Sequence, residues 1–269
     1  MSRYANCFNE LEKSAARAFV PFVVIGDPDL TTSRSVIETL ACSGADALEL
    51  GFPFSDPLAD GPVIQGAMDR ALQAKVTPQQ CLDLIRDFRK TNASIPIGLL
   101  VYANIVYAFG VNEFYQACRA AGVDSVLVAD VPVCESSPFC DAATRAGVDP
   151  ILLCPPNIDS PTIEKVARLG SGYTYLLSRA GVTGTNVAAG RPVNYLLDQL
   201  KAHDAPPPLL GFGISTPAHV IDALEAGAHG VIVGSAIVKI IQRNIGQVDE
   251  MLRELGSFSR EMKAATVCR

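Results

Sequence analysis

One pattern recurs along this chain and limits what it can fold into. A short apolar run is followed by a longer amphipathic stretch that closes on a glycine: SGAD at 43–46, AGVD at 121–124 and again at 146–149, and AGAHG at 226–230. Glycine enters left-handed backbone angles without steric penalty, so it ends a helix and a strand follows at once. The apolar runs predict strands at 19–25, 47–50, 97–101, 125–129, 150–154, 173–177, 209–211 and 230–233. Helical patterns separate them, for example at 32–43 with Thr31 as its cap, 78–90, 111–121, 137–146, 192–202 and 216–226.

Strands that read as continuous apolar runs, each followed by a helix, are buried on both faces and pair in parallel. Eight such units predict an α/β fold, a (β/α)8 barrel of the TIM type. An open doubly wound sheet is the rival. It wants a Gly-rich dinucleotide turn after the first strand, and this chain has IGDPD at 25–29 instead. No linker or low-complexity segment interrupts residues 1–269, which predicts one domain. Residues 1–14 and 247–266 are expected as extra helices that cap or flank the barrel.

A chain that is 49% hydrophobic and 19% charged can bury a large core. Its net charge of −6 speaks against a nucleic-acid partner. It leaves a phosphate ligand open, because helix N-termini bind anions through backbone N–H groups alone. Eight scattered cysteines without a C-x-x-C pair, and three histidines all from position 203 onward, offer no metal-ligand spacing. Reduced thiols in a cytoplasmic protein are the expectation. Residues 95–111 are apolar and free of charge, but Pro96, Gly98, Asn104 and Gly110 break them up. A buried strand followed by an apolar loop is expected there, not a membrane span.

The run DALELGFPFSDPLADGP (46–62) carries the chemistry. Glu49 lies among Ala47, Leu48 and Leu50, where a carboxylate is expensive to desolvate unless it pairs or holds a proton. Asp60 follows in a loop that can fold back over the strand end. In a barrel of this kind the catalytic groups gather at the C-terminal ends of strands and in the loops beyond them. Two acids in unlike environments can divide proton transfer between them. The bland alternatives are a paired core carboxylate at 49 and a turn-former ahead of Pro62 at 60; Asp56, in Ser55-Asp56-Pro57, is still more readily a turn residue.

Strands seven and eight run into GFGIS (211–215) and GSA (234–236), glycine turns that open helices in the usual phosphate-binding place of this fold. The long LSRAGVTGTNVAAGR (177–191) is expected as a lid, with Thr183 and Gly184 facing ligand. None of the seven lysines ends a strand, so a Schiff-base aldolase is not expected. Acid/base chemistry by carboxylates on a small phosphorylated substrate remains.

FVPFVVIGDP (19–28), ALELGFPFSDPLADGPVIQ (47–65), YLLSRAGVTG (175–184) and GFGIS…GSAIVKII (211–241) resemble the tryptophan synthase alpha subunit family along essentially the whole chain. The resemblance implies retro-aldol cleavage of indole-3-glycerol phosphate to indole and glyceraldehyde 3-phosphate. It implies Glu49 as general acid/base and Asp60 at the indole nitrogen, with Tyr175 and Thr183 supporting them. Phe22, Leu100, Leu127, Ala129 and Ile232 would form the indole pocket. Gly184, Gly211, Phe212, Gly213, Gly234 and Ser235 would bind near the phosphate. No cofactor is implied in this chain, since pyridoxal phosphate belongs to the beta subunit. The implied partner is that beta subunit, in an α2β2 heterotetramer, across an apolar rim of Phe52, Pro53, Phe54, Asp56, Tyr102, Asn104, Tyr107, Phe109 and Pro132. A stand-alone lyase releasing free indole, or a silent barrel that only activates beta, are the alternatives.

Overall fold

The computed structural model describes residues 2–177 and 193–267. Eight strands, β1 (Ala18–Val24), β2 (Leu48–Gly51), β3 (Ile97–Val101), β4 (Ser125–Val128), β5 (Asp149–Cys154), β6 (Thr174–Leu177), β7 (Pro208–Gly211) and β8 (Gly230–Val233), pair in sequence order, and β8 pairs with β1. Every pairing is parallel, so the sheet closes into the expected barrel.

Helices surround it: α1 (Arg3–Lys13), α2 (Leu30–Cys42), α3 (Pro62–Gln73), α4 (Pro78–Arg89), α5 (Ala103–Phe109), α6 (Val111–Ala121), α7 (Ser137–Ala146), α8 (Ser160–Leu169), α9 (Val193–Ala202), α10 (Pro217–Glu225), α11 (Ser235–Arg243) and α12 (Val248–Ala264). The glycine signals behave as expected: Gly122 and Gly147 cap α6 and α7 in the left-handed conformation. Two local expectations are corrected. Asp29, not Thr31, caps α2, because its carboxylate accepts from the Thr32 amide at 2.9 Å and a hydroxyl two residues later falls inside the first turn. Residues 103–109 form a short helix, not a loop; Gly110 at φ 91 separates it from α6.

Alternation along each strand divides the apolar side chains into two layers. Phe22, Leu100, Leu127, Tyr173, Tyr175 and Ile232 point into the barrel, while Val23, Leu50, Leu99, Val126 and Leu176 pack outward under the helices. The terminal helices close the N-terminal end. From α1, Tyr4 places its ring 5.4 Å from that of Tyr173 inside the barrel, and Arg3 pairs with Asp124. From α12, Lys263 pairs with Asp46.

Candidate active site

The β1–β2–β3 register sets Phe22, Glu49 and Gly98 side by side. Glu49 is 1% exposed on the inner face of β2. Its Oε1 accepts a hydrogen bond from the Tyr173 hydroxyl at 2.8 Å, and Oε2 has no hydrogen-bond partner among the described residues. Burial without a cation penalises the anion. The Glu49 pKa is pushed up to about 8, first by desolvation and further by the charge of Asp60, against a lowering by Tyr173.

Asp60 sits at the end of the β2 loop, where Gly61 and then Pro62 begin α3. Pro62 suits the first helical position because its missing N–H would have no partner there. The Asp60 carboxylate accepts from the Tyr102 hydroxyl at 2.7 Å, and Tyr102 in turn accepts from the Ala59 amide at 3.2 Å. Gln65 of α3 reaches back to the Asp60 carbonyl at 2.8 Å, which ties the loop to the helix. Burial raises the Asp60 pKa to about 6, and the bond from Tyr102 restrains the rise.

Glu49 and Asp60 open on one cavity, lined also by Phe22, Ile64, Leu100, Tyr175, Phe212, Gly213, Ile214, Ile232, Gly234 and Ser235. At one wall the chain after β7 turns through Phe212 (φ 64) and Gly213 (φ 79). A non-glycine residue in the left-handed region marks a backbone held there by its surroundings. At the start of α11, Gly234 offers no side-chain cap, so among the described residues the first-turn N–H groups beside Ser235 have no capping side chain. An apolar chamber with two carboxylates and a glycine-rich helix start is suited to an aromatic, phosphorylated molecule.

Most residues expected to bind substrate line this cavity. Leu127 and Ala129 belong to the same inner layer without lining it. Gly211 does not line it either: a methyl there would lie 2.4 Å from the Tyr175 ring, so its part is to make room for Tyr175. Thr183 and Gly184 lie outside the described residues. Ile64 and Ile214 were not anticipated, and neither were the two phenols that hold the carboxylates. Among the described residues those hydroxyls belong to Tyr173 and Tyr102, whereas Tyr175 presents its ring to the cavity.

The expected rim needs correction at three places. Phe52 is fully buried and meets Phe114 edge-on at 6.3 Å, because the residue after Gly51 points outward beneath α6. Tyr102 is 1% exposed and serves Asp60 from inside. Pro53 is buried as well. Asp56, Asn104, Tyr107 and Pro132 are exposed, and Phe54 and Phe109 are half-buried. Leu58, 80% exposed, joins them unanticipated.

A family model for the tryptophan synthase alpha chain matches residues 8–267. The tryptophan synthase alpha chain of Vibrio cholerae serotype O1 is 56% identical over 266 residues, covering 99% of both chains. The chain belongs to the tryptophan synthase alpha chain family. That of Photobacterium profundum is 55% identical with the same coverage. Among solved structures, the tryptophan synthase alpha chain of Legionella pneumophila superposes with a TM-score of 0.88 at 31% identity, over 99% of this chain and 97% of that one. Among the described residues no group of three or more His, Cys, Asp or Glu is placed to hold a metal, and no helix is long and apolar enough to cross a membrane.

Proposed function

We propose that this family member, acting as one barrel domain, cleaves indole-3-glycerol phosphate by a cofactor-independent retro-aldol reaction, with Glu49 and Asp60 carrying the protons. One observation carries the reading. The two carboxylates share a cavity, and their pKa values of about 8 and about 6 stand on either side of neutrality. Near pH 7 Glu49 holds a proton and Asp60 is an anion, so an acid and a base face one substrate.

The steps follow from those charge states. Glu49 donates its proton to the ring carbon that bears the glycerol chain, and the ring becomes a cation with its charge shared by the ring nitrogen. Asp60 stabilises that cation through the N–H. Glu49, now ionised, takes the proton of the adjacent side-chain hydroxyl. The carbon–carbon bond breaks, its electron pair returns to the ring as indole, and D-glyceraldehyde 3-phosphate leaves with a new carbonyl. Glu49 ends protonated, as it began. Tyr173 occupies Oε1, which leaves Oε2 to carry the moving proton. Phe22, Leu100 and Ile232 would enclose the rings, and Gly213, Gly234 and Ser235, with Gly184, would bind the phosphate.

The exposed apolar side chains of Leu58 and Tyr107 support a partner surface beside the cavity mouth. The partner proposed is the beta subunit of an α2β2 complex, which holds the pyridoxal phosphate and receives the indole, in the cytoplasm. The test is indole release from indole-3-glycerol phosphate by the purified chain, with and without a cognate beta subunit. Weak release that beta raises strongly is expected. High release indifferent to beta would make the chain a stand-alone lyase, and no release in either case would overturn the assignment of the carboxylates.

A further inference from the structure

The closed barrel places β1 between β2 and β8, and the one aromatic ring that β1 sends into the cavity is Phe22. Each neighbouring strand has a glycine beside that ring, at its last residue in β2 and just past its end in β8. A methyl at Gly51, the last residue of β2, would lie 2.8 Å from Phe22 Cζ and 3.1 Å from Cε2. A methyl at Gly234, just beyond β8, would lie 3.3 Å from Cδ1 and 3.5 Å from Cβ. The tip of the ring thus rests where a side chain of residue 51 would be, and its base where one of residue 234 would be.

Backbone conformation does not account for these glycines. Gly51 is an ordinary strand residue outside the left-handed region, and Gly234 has φ −111. Space accounts for them. Met68 Cε of α3 stands 3.4 Å from the same Gly51 position, in ordinary contact, so the close contact of a methyl there would be with the ring. Phe22 itself lines the cavity with Leu100, Tyr175 and Ile232, so a shift of its ring changes the cavity's width.

We propose that Gly51 and Gly234 are specificity-determining positions that seat the Phe22 ring against the barrel wall and so set the width of the slot for a two-ring aromatic group. The indole identity of that group rests on the reading above; the seating of Phe22 does not. Residue 51 touches no substrate in this account and acts only through Phe22.

The test pairs substitution with compensation. Affinity for indole is measured by calorimetry, and KM and kcat for indole-3-glycerol phosphate alongside. Gly51→Ala should weaken indole binding and raise KM by about tenfold, the usual scale for one methylene in an apolar pocket, with a smaller change in kcat. In a Phe22→Leu background, which lacks the ring the new methyl would strike, Gly51→Ala should cost little beyond what Phe22→Leu itself costs. A Gly51→Ala chain that folds yet binds indole as the parent does would overturn the proposal. So would an equal loss from Gly51→Ala in the parent and in the Phe22→Leu background, since a general structural defect does not depend on Phe22. If Gly51→Ala does not fold, Gly234→Ala makes the milder contact, and its effect on binding of indole, which has no phosphate, in the parent and Phe22→Leu backgrounds decides. Indole binding that follows this pattern in a chain that releases no indole from the phosphate ester would uphold the seating and overturn the retro-aldol reading.

Discussion

Two pairs of buried carboxylates, one pair at each end of the barrel, meet opposite surroundings, although the C-terminal end also holds the paired Asp27 and Arg70. At the N-terminal end, Asp46 accepts from Lys263 at 2.7 Å and from the Phe19 amide at 2.8 Å. Asp124 accepts from Arg3 at 2.8 Å, from Arg89 at 2.5 Å and from the Ile97 amide at 2.8 Å. These are the aspartates that follow the recurring helix-ending glycines, and they fasten the terminal helices and α4 to the strand starts. At the C-terminal end, Glu49 and Asp60 have phenol partners and no cation in hydrogen-bond reach among the described residues. Burial raises the pKa of Asp46 too, but there Lys263 pulls it back, whereas for Glu49 the nearest charge is another anion. Charge compensation stabilises the first end; its absence leaves a proton at the second available for chemistry.

The sharpest way to break this contrast is Glu49→Gln. The amide keeps a partner for Tyr173 and cannot transfer a proton, so indole release should fall by about 10³-fold or more. The same change should stabilise the fold at alkaline pH. Glu49 titrates at about 8 in the folded chain against an ordinary value of 4.5, so the native state retains a proton that the unfolded chain has lost. Its contribution to stability is therefore full below about 4.5 and is lost as pH rises through about 8. Thermal melts of parent and variant should diverge between those pH values, with the variant higher at pH 9. A parallel pH dependence in both would disprove the buried, proton-holding state of Glu49.

At the opposite end, Asp124→Ala strands the buried Arg89 guanidinium and the Ile97 amide, and should cost about 3 kcal/mol of stability. Denaturant unfolding reads this, and the kcat of the folded fraction should stay near that of the parent. A comparable loss of kcat would mean that the two ends are not separable.

The smallest effect expected is that of Tyr102→Phe. Its hydrogen bond lowers the Asp60 pKa, so removing it should move the acid limb of the kcat profile upward from about 6. The drop should be roughly threefold at pH 6, approach about fivefold well below it, the scale of one hydrogen bond of ~1 kcal/mol, and be nearly absent at pH 8. An unchanged limb with uniformly lower activity would reduce Tyr102 to a packing residue.

Much of the barrel was legible because its signals are local. Glycines at 122 and 147 end helices through their own backbone angles, and the continuous apolar strands announce burial on both faces. The positions of Glu49 and Asp60 were legible too, since an acid inside an apolar run is conspicuous. Tyr173 and Tyr102 were not, because the contacts span 124 and 42 residues and a buried tyrosine in an apolar run looks like any other core aromatic. Phe52 misled for a related reason: a rim phenylalanine and a core one look alike until the strand end shows which way it turns.

What the sequence by itself determined is the alternation of strand and helix, and a carboxylate at the C-terminal end of the second strand. Closure of the sheet decided what each carboxylate meets. It brought Lys263, Arg3 and Arg89 to Asp46 and Asp124 at one end, and among the described residues it set phenols and apolar walls, with no cation in hydrogen-bond reach, around Glu49 and Asp60 at the other. A proton affinity is the sum of desolvation and nearby charge, both of which act through space, so it was set only when distant segments came together.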